Sequence, residues 1–181
     1  LPDDINDSKK IKSARRASLA AYLQTLPHLH CTISEDVNVI DQIGVVAATL
    51  TAMENATRGI ISLLKDAGFT GSTHALIDGP LKPKNMPCSS QSVVRGDTMS
   101  LSIAGASIIA KHSRDSIMRM LDTDWPVYGW RQNNGYGTRQ HQQALATFGV
   151  SPHHRRSFAP IRRLCEAVNH SDTVGQVASR N

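Results

Sequence analysis

Apolar residues recur at helical spacing in two long stretches of the chain and gather at strand-like density only in short ones. Between Asn38 and Leu64, the residues Ile43, Val46, Leu50, Met53, Ile60 and Leu64 recur at threes and fours with only Thr57 interrupting, and Lys65 and Gly68 supply a stop. That spacing predicts one long amphipathic helix. From Leu101 to Leu121 the pattern returns through Ile103, Ala106, Ala110, Ile117 and Leu121, and the small Ala104, Gly105 and Ala106 predict close packing on a sheet. Lys9 to about Leu26 is rich in Lys, Arg, Ala and Leu, with no Gly or Pro until Pro27. With Ser8 as N-cap, it predicts an exposed basic helix.

Short runs fill the gaps. Leu29 to Ile33 predicts a strand, and His74 to Ile77 a buried one that stops sharply at Asp78-Gly79-Pro80, leaving Asp78 at its carboxyl end. Gln91 to Val94 predicts a third strand ahead of Gly96 and Asp97. Trp125 to Tyr136 reads as loop, Thr138 to Phe148 as a last helix before a basic segment, and the polar tail 170–181 as disorder. Alternating helices and strands define an α/β fold, with a mixed sheet flanked by helices in a single domain over 1–169.

Composition narrows the setting. At 181 residues and 40% hydrophobic the chain can bury one core, and its apolar stretches break well before the roughly 18 residues of a membrane span. The first residue is Leu1 and no signal-peptide pattern follows, so the chain reads as cut at its start. Cys31, Cys88 and Cys165 are odd in number and lack C-x-x-C spacing, which points to a reducing compartment and a cytoplasmic location. A formal charge of +5, with basic clusters at Lys9–Arg16 and Arg155–Arg163, suits a polyanionic partner.

Several residues carry candidate chemistry, each with a plainer reading beside it. Asp78, on a strand end, can offer oxygen to a hard divalent cation, or simply cap the Gly79-Pro80 turn. Asp115 can join it from a helix, yet lies four residues from both Lys111 and Arg119, the spacing of a surface ion pair. Asp97 and Asp122 are candidates by elimination only. Asn134-Gly135-Tyr136-Gly137-Thr138 exposes a ring for stacking or folds it under its own loop. His153-His154-Arg155-Arg156 with Arg162-Arg163 forms a phosphate-binding patch or a solvated face, and adjacent histidines without a third spaced ligand are not a zinc pattern.

In order along the chain, Asn6-Asp7-Ser8-Lys9-Lys10, Leu76-Ile77-Asp78-Gly79, Ala106 to Lys111 leading to Arg114-Asp115, Gly135-Tyr136-Gly137-Thr138 with His141, and His154-Arg155-Arg156-Ser157-Phe158 closely resemble bacterial ribonuclease HII. The resemblance spans residues 6 to about 160 and implies a ribonuclease H-like sheet with a helical C-terminal part. It further implies an endonuclease that cuts RNA in RNA/DNA hybrids and at ribonucleotides embedded in DNA, using Mn²⁺ or Mg²⁺ and leaving 5′-phosphate and 3′-hydroxyl ends. By the same resemblance Asp78 and Asp115 are catalytic metal-binding carboxylates, Tyr136 stacks on the sugar at an RNA–DNA junction, and Ser8, Lys9, Lys10, Thr138, Arg155 and Arg156 contact the substrate. The expected partners are an RNA/DNA hybrid and a ribonucleotide-containing duplex, with no membrane and a monomeric protein.

The chain departs from the family pattern in two places. The family's other two carboxylates, an Asp-Glu pair on the first, central strand with a Gly-basic-Gly turn after it, do not occur among these residues. The chain opens at Leu1-Pro2-Asp3-Asp4, which resembles the stretch after that strand, so Asp3 and Asp4 do not replace the pair. The expectation is therefore a fold missing its first central strand and a fragment with little activity. Its alternatives are a fragment that grips hybrids without cutting, or a remnant that binds nothing. Asn134 stands where the family commonly has a basic residue, which softens phosphate contact.

Overall fold

Leu19, Ala20 and Leu23 are buried on the first helix together with Arg16, the i, i+3, i+4, i+7 pattern of a one-sided helix. This is α1, Ser13–Thr25, in a computed structural model that describes residue 5 and residues 11–166. It begins later than predicted, with Lys12 at the N-cap, and Pro27 follows soon after its end. The predicted exposed basic helix is thus partly buried. Ser8, Lys9 and Lys10, like Asp3, Asp4 and the tail, lie outside the described residues.

The predicted helix from Asn38 is two helices, α2 (Val37–Ile43) and α3 (Val45–Asp66). Asp36 caps α2 by accepting from Asn38 N, and Gly44 separates the two at φ +81°, a conformation that favours glycine. The periodicity survived the break because Gly44 shifts the backbone for a single residue. Leu50, Met53, Ile60 and Leu64 are half-buried, Ile43 and Val46 exposed, and Ala48 alone on α3 is fully buried.

Strands β1 (His74–Asp78) and β2 (Ser89–Val93) pair in parallel, with His74 opposite Ser89 and Asp78 opposite Val93. Among the described residues they make the whole sheet. The fold is α/β with a small parallel sheet and a large helical share, consistent with a ribonuclease H-like fold. The expected strand at 29–33 is not regular structure, because an extended segment becomes a strand only beside a pairing neighbour, and no ladder reaches it. For a related reason β1 is not the buried strand predicted: only Ile77 is buried, and Leu76 is exposed.

Two further helices, α4 (Gly96–Met99) and α5 (Leu101–Asp124), follow β2. The small residues of α5 serve a different partner from the one expected. Ala104, Ile108 and Ile109 pack with Leu19, Ala20 and Leu23 of α1, and a Cβ on Gly105 would touch Leu23, so the stripe admits a helix. The predicted loop at 125–136 contains a 3₁₀ turn, Pro126–Tyr128, and α6, Trp130–Asn133. Helix α7, Arg139–Phe148, starts where Thr138 Oγ1 accepts from His141 N, and residues 159–166 are helical again.

Contacts divide the chain into two compact units: residues up to Ser34 with Thr49–Ile117, and Glu35–Ala48 with residues from Met118 onward. The first has its core between α1 and α5. The second has a core of Met118, Tyr128, Trp130, Ala144, Leu145 and Ile161. No helix among the described residues is long and apolar enough to cross a membrane.

Candidate active site and nucleic-acid interface

Asp78 sits where the parallel pair ends. Gly79 N donates to Val93 O at 3.0 Å, closing the ladder one residue beyond Asp78. The carboxylate is exposed, and its Oδ1 accepts from Gly96 N at 2.9 Å. It is therefore held by the start of α4 rather than by the Gly79-Pro80 turn. Gly96 packs closely there: an added Cβ would lie 2.5 Å from Ile103 Cδ1, the mobile end of its side chain, 3.3 Å from Val93 Cβ and 3.4 Å from Asp78 Oδ1. No spacing along the chain signals this support.

Asp115 is the opposite kind of carboxylate, only 2% exposed. Its Oδ2 accepts from Arg16 at 2.7 Å and its Oδ1 from Lys111 at 2.6 Å. The Lys111 pair has the spacing expected of a surface contact but lies inside. Arg16, predicted as part of a surface basic cluster, turns inward instead, and its other nitrogen bonds Ile11 O at 2.6 Å. The physical reason is that a buried carboxylate needs counter-charge and donors, and a rigid guanidinium on a neighbouring helix supplies both.

Among the described residues, no donor bonds both Asp78 and Asp115. Both offer hard oxygen donors on regular elements, which suits magnesium or manganese. Among the described residues, however, no group of three His, Cys, Asp or Glu side chains gathers around a common point. Asp97 lies in the first turn of α4, and Asp122 is engaged with Arg131 through its backbone N (3.1 Å) and Nε (3.5 Å).

The second unit carries the aromatic and basic candidates. Tyr136 is 62% exposed, which excludes a ring folded under its loop. Asn134 at φ +49° and Gly135 at φ +78° form the left-handed turn before it. Asparagine tolerates that region better than most side chains, a backbone reason for its presence at 134. Thr138 is exposed and its hydroxyl caps α7.

Arg155 and Arg156 are exposed, but His154 is not part of the patch: it is buried against Tyr128 and Trp130, with ring centroids at 4.8 and 5.3 Å. Burial, then the nearby His141 and His153, push its imidazole down to about 4. Burial likewise raises the Tyr128 phenol.

Asp41 fixes the turn that follows. It accepts from Arg156 N at 2.8 Å, Ser157 N at 2.9 Å and Ser157 Oγ at 2.6 Å. Burial works against the charge, yet these bonds and the Arg155 guanidinium outweigh it and hold the carboxyl below its ordinary value. Arg155 also lies over the Phe158 ring at 5.4 Å. Sequence reasoning missed Asp41, because its partners are more than a hundred residues away.

Asp78 thus ends one strand of the parallel pair, and Asp115 lies on α5 of the same unit. Comparison with known proteins gives the family. The family model described as ribonuclease HII matches residues 3–161. A ribonuclease HII of Cereibacter sphaeroides is 42% identical over 167 residues, which cover 91% of this chain and 73% of the relative. Those of Magnetococcus marinus (43%, covering 91% and 74%) and Rhodospirillum rubrum (44% over 159 residues, covering 87% and 69%) are similar. The chain belongs to the ribonuclease HII family, a family of ribonuclease H endonucleases.

Proposed function

We propose that this chain serves hydrolysis of RNA in RNA/DNA hybrids and at ribonucleotides embedded in DNA, giving 5′-phosphate and 3′-hydroxyl ends. The observation that carries the reading is the position of Asp78: an exposed carboxylate, anchored through one oxygen by Gly96 N, at the end of a parallel strand inside the family match. Asp78 and Asp115 would hold divalent cations, which when bound supply activation of water and stabilisation of the leaving 3′ oxygen. The anchored Oδ1 orients Asp78, and the Arg16 and Lys111 contacts fix Asp115 on α5. Tyr136 offers a face for stacking on a sugar, while Arg155 and Arg156 neutralise phosphates. Selectivity for RNA follows from contacts to the 2′-hydroxyl, which DNA lacks.

With two of the family's four carboxylates among these residues, a polypeptide of this sequence alone turns over little substrate. Two cations bring four positive charges, which two aspartates neutralise only in part. A second reading, binding of hybrids without cleavage, is favoured by the exposed Tyr136, Arg155 and Arg156, which need no metal. The test compares this chain with a version preceded by a family-like Asp-Glu strand, on DNA, RNA/DNA and single-ribonucleotide duplexes with magnesium and with manganese. The extended version should cut the two ribonucleotide-containing duplexes with the stated ends, and the chain alone should bind them. Equal turnover by both versions would mean that other residues, such as Asp97 or Asp122, complete the site.

A further inference from the structure

Beneath the two surfaces proposed for nucleic acid runs a line of buried polar groups whose hydrogen-bond directions can be assigned. Ser151 N–H donates to His154 Nδ1 at 3.0 Å. A backbone amide only donates, so that nitrogen is unprotonated, and the neutral ring carries its proton on Nε2. His154 Nε2–H then points at His141 Nε2, 3.4 Å away, which has to accept. His141 in turn carries its proton on Nδ1 and donates to the Tyr128 carbonyl at 3.1 Å.

The same carbonyl accepts from Asn133 Nδ2 at 2.7 Å. Asn133 Oδ1 accepts from Gly135 N at 2.8 Å, and its backbone oxygen from Tyr136 N at 2.8 Å. At this end the line sets the left-handed turn that exposes Tyr136. At the other end, Ser151 Oγ donates to His154 Nδ1 at 2.8 Å and accepts from His153 N at 3.2 Å, fixing the turn that leads into Arg155 and Arg156. Both rings are enclosed, His141 being 5% and His154 8% exposed. The titratable groups facing them are His153, on the same turn, and Tyr128, from the 3₁₀ turn.

We propose that the buried relay from Ser151 through His154, His141 and the Tyr128 carbonyl to Asn133 holds the Tyr136 turn and the Arg155–Arg156 turn in one arrangement for nucleic acid. His154, His141 and Asn133 are on this account positioning residues. The inference rests on the reading of Tyr136, Arg155 and Arg156 as substrate contacts. It adds that the two contact surfaces are mechanically one, through groups that never touch the substrate. A bound duplex meets both turns preordered, and disturbing the relay at either ring loosens both. A second proton on His154 would set its Nδ1–H against Ser151 N–H and break the line from its middle.

The test reads binding rather than cleavage, by fluorescence anisotropy of a labelled single-ribonucleotide duplex against the full chain. His141→Leu removes both relay contacts. His141→Asn keeps a donor where Nδ1–H meets the Tyr128 carbonyl. With unchanged circular dichroism, His141→Leu should weaken binding about tenfold and His141→Asn should recover it to within about threefold. Tyr136→Ala and Arg155→Ala are measured alongside. If these two weaken binding while a folded His141→Leu binds as wild type, the relay is overturned and the contact reading stands. If neither weakens it, the contact reading itself fails and the relay proposal falls with it. Should His141→Leu not fold, ¹⁵N NMR of the unaltered chain decides. The relay requires His141 as its Nδ1–H tautomer and His154 as its Nε2–H tautomer, and the reverse pair overturns it.

Discussion

The two units of this chain treat their polar groups in opposite ways. In the first, Asp78 is exposed with a single backbone donor, and Asp115 is buried with its charge balanced by two basic side chains. In the second, Ser151, His154 and His141 bond in series, and His141 and Asn133 meet at the Tyr128 carbonyl. The difference separates two jobs. A recognition surface can be prepared by the protein alone; Asp78 leaves an oxygen open to an incoming cation, whereas Asp115, with both oxygens bonded, would have to give up Arg16 or Lys111 to join it.

The largest effect should come from breaking the open end. In a version of the chain preceded by a family-like Asp-Glu strand, Asp78→Asn should lower cleavage by roughly 10³-fold, a magnitude typical of losing a charge-stabilising group at the reacting centre. Hybrid affinity should stay near wild type, because it rests on basic residues and stacking. Gel-shift and cleavage assays read the two effects separately.

Next comes the buried pair. Arg16→Leu leaves Asp115 with Lys111 alone and should destabilise the fold by about 3 kcal/mol, the low end for breaking a buried ion pair. Urea unfolding measures it, and a change under about 1 kcal/mol would mean that Lys111 suffices.

The second unit should respond to acid. His154 is near 6.5 when unfolded and about 4 in the fold. Between those values the unfolded chain binds more protons, so stability rises with pH there. His154's contribution is complete above about 6.5 and is lost as pH falls toward 4, on the order of 3 kcal/mol in all. Melting temperature against pH should show this slope, and His154→Asn should flatten it.

Smaller effects belong to the surface. Asp41→Asn should cost about 1 kcal/mol by weakening the acceptor of the Arg156 and Ser157 amides, read by thermal melting. Arg155→Ala should reduce the salt dependence of hybrid binding by about one counterion.

What the sequence disclosed follows the same division. Local features were legible: β1 ending at Asp78, the α5 periodicity and the helix opening at Thr138 each depend on neighbours within a few residues, whereas the residues around Tyr136 left its exposure open. Long-range pairings were not. Arg16 looked like one more surface base because its partner Asp115 is 99 residues away, and Asp41 carried no sign of its hold on Ser157. The strand expected at 29–33 failed for the converse reason, since local composition cannot supply a pairing neighbour. His154 was grouped with its arginines because adjacency in sequence says nothing about which side chain turns inward.

The central claim is that Asp78 and Asp115 serve one cation centre. Anomalous diffraction from manganese-soaked crystals, bound to a hybrid and carrying the family-like strand, tests it most directly. The account predicts manganese density coordinated by Asp78, with the carboxylate of Asp115 within about 10 Å of it, close enough for both to belong to a two-metal centre. Density elsewhere, or carboxylates farther apart than that, would contradict it.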